Sequence, residues 1–144
     1  MTILIREGTL QEASQVMARV PEFTLGETPD AMLQRLGDKT SLILVAEKSG
    51  VMLGFKVGYE LDDDTFYSWL GGVVAEARNE GVAQMLLEVQ EEWVTEQGYK
   101  TLKVKSRNQF PAMLRLLLRN GYLIEKVEEK SNLRESRIHF IKAL

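Results

Sequence analysis

The sequence predicts one α+β domain in which a mixed sheet of about seven strands is flanked by four helices. Residues 41 to 48, 52 to 61 and 65 to 74 are rich in Val, Leu, Ile and aromatics. Ser49-Gly50 and the polar Asp62-Asp63-Asp64 separate them, the pattern of three strands joined by hairpins. From Gly81 the period changes: Val82, Met85, Leu86, Val89 and Trp93 share a helical face opposite Glu88, Glu91 and Glu92 until Gly98 ends the run. No repeat, low-complexity tract or linker-like stretch interrupts the 144 residues, so 1–144 reads as a single domain.

The remaining elements follow in order. Met1 to Arg6 has no basic leader followed by a long apolar region, which predicts a mature first strand at Thr2 to Arg6 and a protein that is not exported. Thr9-Leu10-Gln11-Glu12 has capping-box spacing, and Leu10, Ala13, Val16, Met17 and Val20 then recur at helical intervals. A second helix starts with Thr28 as N-cap and Pro29 at its first position, carries Met32, Leu33 and Leu36 inward, and stops at Gly37. Beyond Gly98 come a short strand at Thr101 to Lys105, a leucine-rich helix from Pro111 to Arg119 closed by Gly121, and two strands at 122 to 129 and 134 to 143.

Composition excludes several classes of function. With 44% hydrophobic and 27% charged residues the chain is ordinary for a globular protein, and no apolar stretch approaches the roughly 18 residues of a membrane span. A net charge of −3 argues against a duplex-binding protein, whose affinity comes from many Lys and Arg contacts to phosphate. The absence of cysteine removes thiol nucleophiles, disulfides and thiolate zinc sites, and fits a cytoplasmic location. The one histidine, His139, lies in the apolar-rich tail Ile138-His139-Phe140-Ile141 and reads as structural. Adjacent carboxylates at the tip Asp62-Asp63-Asp64 point in different directions, so no metal is assigned.

Chemistry concentrates where strand 65 to 74 runs into the helix that starts near Gly81, through Arg78-Asn79-Glu80-Gly81-Val82-Ala83. The first turn of a helix has N–H groups with no internal partner, and with the positive end of the helix dipole they can hold a phosphate. Gly81 lets the backbone approach closely, small Ala83 keeps the approach open, and Arg78 adds charge or braces the loop. A capped helix beside an incidental arginine fits the same spacing. There is no G-x-x-x-x-G-K-[ST] and no G-x-G-x-x-G after a strand, so ATP and NAD lose ground. Gly71-Gly72 inside a strand marks a bulge or a close approach by another group.

The segment from Trp69 to Glu88 resembles the acetyl-CoA motif of the GNAT superfamily of N-acetyltransferases. The family pattern R/Q-x-x-G-x-G/A is matched by Arg78, Gly81 and Ala83, with Val73 in the preceding strand and Met85-Leu86-Leu87 opening the helix. Asn108 before the fourth helix and the pair Gly121-Tyr122 also agree with the family's order of elements. The resemblance implies a mostly antiparallel sheet whose fourth and fifth strands splay apart. It implies pantetheine bonded to backbone near Val73 and Val74, and pyrophosphate on the N–H groups of Asn79, Glu80, Gly81, Val82, Ala83 and Gln84. Acetyl-CoA is then the co-substrate, a small-molecule or peptide amine the acceptor, and a homodimer through the last strands the plausible assembly.

Two departures stand out. Family members commonly carry a tyrosine four residues before the Gly-Phe pair that protonates the departing thiolate, and Leu117 occupies that position. Several members place a basic glutamate in the fourth strand, where this chain reads Phe66-Tyr67-Ser68-Trp69. Glu60, set across a hairpin from Phe66 and Tyr67, is the substitute base, and Tyr67 the candidate proton relay; each also reads as an ordinary strand residue. Three readings follow: direct acetyl transfer to a primary amine without a covalent enzyme intermediate, a degenerate acyl-CoA-binding module, and a partner-binding domain with an empty cleft. Glu22, Glu27 and the acidic hairpin favour a cationic amine as acceptor.

Overall fold

The β-branched and aromatic runs become strands and the amphipathic runs become helices, in a computed structural model that describes residues 2–23 and 26–144. Met1, and Thr24 and Leu25 of the first interhelical connection, lie outside the described residues. The strands are β1 (Leu4–Glu7), β2 (Ser41–Lys48), β3 (Val51–Asp62), β4 (Thr65–Val73), β5 (Thr101–Arg107), β6 (Leu123–Glu128) and β7 (Arg137–Ala143). The helices are α1 (Leu10–Met17), α2 (Pro29–Leu36), α3 (Val82–Glu96) and α4 (Pro111–Arg119).

Thr9 and Glu12 form the capping box read from the sequence: Thr9 Oγ1 accepts from Glu12 N, and Glu12 Oε1 accepts from Thr9 N, both at 3.1 Å. Arg6 clamps the same carboxylate from β1 at 2.7 Å. Thr9→Ala removes one half of the box and is expected to cost about 1 kcal/mol, read as a lowered thermal midpoint with an unchanged fold.

All seven strands form one sheet in the order β1-β2-β3-β4-β5-β7-β6, with β7 inserted between β5 and β6. Every neighbouring pair is antiparallel except β4 and β5, which are parallel. A parallel pair requires a crossover, and α3 supplies it. A Cβ on Gly54 would meet Val82 and Leu86 of α3, whereas one on Gly72 would meet Val20 and Phe23 beyond α1. The sheet is thus covered by α3 on one face and by α1 with the chain after it on the other. Phe55, Phe66, Phe140, Met17, Met32, Leu102, Leu117 and Tyr122 are fully buried between these layers.

Two sequence expectations are corrected in detail. Val20 lies in a turn beyond α1, yet stays buried by packing toward β4. Residues Leu133–Glu135 form a 3-10 turn capped by Asn132, whose side chain accepts from Arg134 N, so β7 begins only at Arg137. A second 3-10 turn, Ala75–Ala77, fills the connection between β4 and the start of α3.

Candidate active site

β4 and β5 pair only from Thr65↔Thr101 to Ser68↔Val104, after which the two strands part. β4 continues along β3 to Val73, and β5 continues along β7 to Arg107. The register of β4 shifts between Val57↔Leu70 and Gly58↔Ser68, leaving Trp69 as an extra residue where pairing with β5 ends. A bulge of this kind bends its strand and frees its edge.

Val74 donates its N–H to Leu53 O at 2.9 Å, and alternation along the strand turns the backbone groups of Val73 and Gly71 the other way, into the gap. Of the two valines expected to meet pantetheine, Val73 therefore faces the gap, while the Val74 N–H is committed to β3 and the residue is fully buried. Gly71 and Gly72 are approached from opposite faces. A Cβ on Gly71 would come within 3.4 Å of Lys56 Nζ, and one on Gly72 within 3.1 Å of Val20 Cγ1.

The gap opens toward the N-terminus of α3. Asn79 takes a left-handed φ of 66°, which asparagine tolerates, and Gly81, the N-cap, takes φ 81°. Gly81 has no side chain to cap the helix, and the first turn holds no acidic residue. The first helical bond runs from Met85 N to Gly81 O, which leaves the N–H groups of Val82, Ala83 and Gln84 without helical partners. A Cβ on Gly81 would meet nothing within 4 Å, so the space before this helix end is open. Longest of the four helices, α3 thus presents a bare positive pole to open space.

Side chains frame that pole. Arg78 donates from Nε and Nη2 to Val73 O at 3.3 and 3.2 Å and forms an ion pair with Glu22 after α1, tying the loop to the strand edge. Glu80 pairs with Lys48 at 3.5 Å. Gln84 and Asn120 exchange amide hydrogen bonds at 2.8 Å, linking the first turn of α3 to the end of α4. Asn120, which the sequence reading did not single out, thereby fixes how far the two helices stand apart. Asn108, just past β5, donates from Nδ2 to Leu133 O at 3.0 Å and so braces the 3-10 turn at the far rim.

Beneath α3, the face of β3 and β4 next to the gap is polar. Lys56 is only 8% exposed, and it makes no hydrogen bond or ion pair among the described residues. Burial pushes its ammonium down to about 8, partly opposed by the Glu91 carboxylate on α3. Gln90 on α3 is fully buried with both amide atoms unpartnered, and Ser68, the last β4 residue paired with β5, is buried too. Neither Lys56 nor Gln90 was legible in the sequence. Gln90 sits among the polar positions of an amphipathic helix, and Lys56 reads as an exposed strand residue.

The opposite face carries Tyr67, also buried, one residue before the gap opens. Its ring meets Tyr59 edge-on at 5.5 Å, and Lys105 of β5 lies 5.4 Å from the ring centroid. Burial raises its phenol, assisted by Tyr59 and opposed by Arg35 and Arg137, so it stays protonated at neutral pH. Arg35 of α2 donates to Tyr59 OH at 3.0 Å and stacks against Trp69 at 5.1 Å. Glu60 does face Phe66 in register, but its carboxylate accepts from Tyr99 OH at 2.8 Å on the closed side of the β4–β5 pair. Tyr67 is therefore beside the gap and Glu60 is not. His139 lies on β7 with Nε2 3.3 Å from Glu128, a structural contact.

A strand edge opens here beside an uncapped helix N-terminus, and comparison with known proteins places the chain. The Acetyltransferase (GNAT) family matches residues 10–122, and the chain belongs to that family. Among solved structures, the ribosomal-protein-S18-alanine N-acetyltransferase from Escherichia coli is similar at TM-score 0.85 and 17% identity, over 99% of this chain and 94% of that one. Ard1 from Thermoplasma volcanium is similar at TM-score 0.84 and 19% identity, over 100% and 99%. A GNAT family acetyltransferase from Elizabethkingia anophelis with acetyl-CoA bound is similar at TM-score 0.76 and 15% identity, over 99% and 98%. At these identities the likeness establishes the fold. A search of curated proteins gave no match. No helix among the described residues is long and apolar enough to cross a membrane.

Proposed function

We propose that the protein transfers the acetyl group of acetyl-CoA directly to a primary amine of a small molecule or peptide. One observation carries this reading: the free edge of β4 and the uncapped N-terminus of α3 converge on one cleft. The residues fit the cofactor. Pyrophosphate meets the N–H groups of Val82, Ala83 and Gln84 and the open backbone at Asn79, Glu80 and Gly81, with Arg78 bracing the loop through Val73 O and Glu22. The Val73 N–H and the Gly71 backbone would hold pantetheine along the free edge of β4. Asn108 closes the far rim.

In the reaction the lone pair of a neutral amine attacks the thioester carbon, and backbone N–H groups of β4 polarise its oxygen. The C–S bond then breaks, the nitrogen loses one proton, and the sulfur gains one. Tyr67, held protonated, supplies a hydrogen bond at the apex of the gap to orient the amine. The acceptor enters from the α2 face, lined by Tyr59, Tyr67, Trp69, Arg35 and Lys105. Glu22, expected to attract a cationic amine, is neutralised by Arg78, which widens the acceptor classes worth testing.

A second reading, an acyl-CoA-binding module without turnover, is favoured by the withdrawal of Glu60 to Tyr99. Release of coenzyme A from acetyl-CoA, measured against polyamines, amino acids, and peptides with free N-termini or lysines, separates the two. Amine-dependent release with an acetylated product is the expected result. Acetyl-CoA binding without release for any amine would leave the module reading.

A further inference from the structure

Among the described residues, the largely buried Lys56 side chain has no hydrogen-bond or ion-pair partner, stands beside the gap and is used by nothing described so far. Lys56 projects from β3 on the α3 face, opposite Gly71 in register. A Cβ on Gly71 would meet Lys56 Cγ at 3.3 Å and Nζ at 3.4 Å, so the lysine lies flat over β4 where its edge faces the gap. The side chain is more than nine-tenths buried, but among the described residues only the Gln90 amide atoms are both sealed from solvent and unpartnered. The Lys56 ammonium therefore keeps a small exposed area. A buried cation without hydrogen bonds is costly, and sites that retain one commonly use it.

Breaking a thioester leaves charge on sulfur, which needs a proton or a cation close by. Other candidate donors are occupied or lie elsewhere. Tyr122 donates its hydroxyl to Glu91 at 2.7 Å, Tyr99 donates to Glu60, and Tyr67 lies on the opposite face of the sheet. Leu117 of α4 is apolar and 1% exposed. Glu91 is the one carboxylate acting on Lys56, and it is already held by Tyr122 and by Lys142 at 3.0 Å.

Resting on the acetyl-CoA reading above, we propose that Lys56 is a catalytic residue whose ammonium contacts the sulfur of coenzyme A and protonates it as the C–S bond breaks. The proton leaves Nζ for sulfur, the acetylated nitrogen releases one to solvent, and Lys56 takes one back from solvent, so the cycle balances. Its lowered affinity for protons, near that of a thiol, makes the transfer close to even in both directions.

The test needs no acceptor. Titration of the thiol of coenzyme A bound to the full chain, followed by the far-ultraviolet absorbance of the thiolate, is expected to show ionisation at a pH about 1 to 3 lower than for free coenzyme A, because a cation lies beside the sulfur. Lys56→Met should abolish that displacement and Lys56→Arg should preserve it. Should the methionine variant fail to fold, the wild-type titration and Lys56→Arg still decide. Calorimetry with coenzyme A runs alongside. If wild type binds and its thiol ionises as in free solution, or if Lys56→Met leaves the displacement intact, the assignment of Lys56 is overturned while the cofactor site stands. If wild type does not bind, both fall.

Discussion

Gly81→Glu is expected to lower affinity for acetyl-CoA by about 100-fold or more, whereas Gly81→Ala keeps most of it. Position 81 is the N-cap of α3 at φ 81°, and a Cβ there points into open space before the free N–H groups. A glutamate side chain would enter the volume assigned to pyrophosphate and bring negative charge to a site built for an anion. Each ångström of approach matters there, because water has been displaced and screening is weak. Both substitutions force a non-glycine residue into the left-handed region, at about 1 to 2 kcal/mol, so both variants should melt lower by a similar amount. The alanine variant separates that shared strain from the charge. Equal affinities of the glutamate variant and wild type, by calorimetry on folded protein, would place the cofactor elsewhere.

Lys56→Met is expected to stabilise the fold near neutral pH, by up to about 3 kcal/mol. Folding lowers the ammonium from 10.5 to about 8 by desolvation, so between those values the unfolded chain holds a proton that the folded one has released. The sign follows from that difference: wild-type stability rises as pH increases from about 8 to about 10, and below 8 the burial penalty is present in full. Methionine has a similar reach and no charge, so the variant gains stability at pH 7 and loses this rise. Urea unfolding of both proteins at pH 7 and pH 10 measures it. A variant less stable than wild type at pH 7 would show that the ammonium is satisfied in the fold. Stabilisation coupled to loss of the coenzyme A thiol effect is what a group retained for chemistry produces.

Much of the fold was legible because its signals are local. The capping box at Thr9, the Thr28-Pro29 start of α2 and the change of period at Gly81 each act within a few residues, and each produced its element at the expected place. The hairpin at Asp62 to Asp64 likewise set Glu60 opposite Phe66. Long-range arrangement was less accessible. Nothing in residues 137 to 143 says that β7 inserts between β5 and β6, or that Glu60 turns to Tyr99, because both depend on where distant strands stack.

At the site, the Arg78 to Ala83 spacing located the helix end, and Gly71-Gly72 marked the strand where neighbours crowd. Which of Val73 and Val74 faces the gap is not legible locally, because strand phase relative to β3 decides which backbone groups face outward, and the bulge at Trp69 shifts the register within β4. Lys56, Gln90 and Asn120 were missed for a related reason. A polar side chain on a strand or helix reads as solvated unless one knows what packs over it, and α3 covers the first two.

Hydrogen exchange of the full chain with and without saturating acetyl-CoA tests most directly the claim that the opened β4 edge and the α3 N-terminus form one cofactor cleft. Slowed exchange is predicted at Gly71, Val73 and residues 79 to 84, whose N–H groups lack protein partners on the cleft side. Those of the edge strands β1 and β6 should be unchanged. No protection in either segment at saturation, or protection centred on the outer strands, would contradict it.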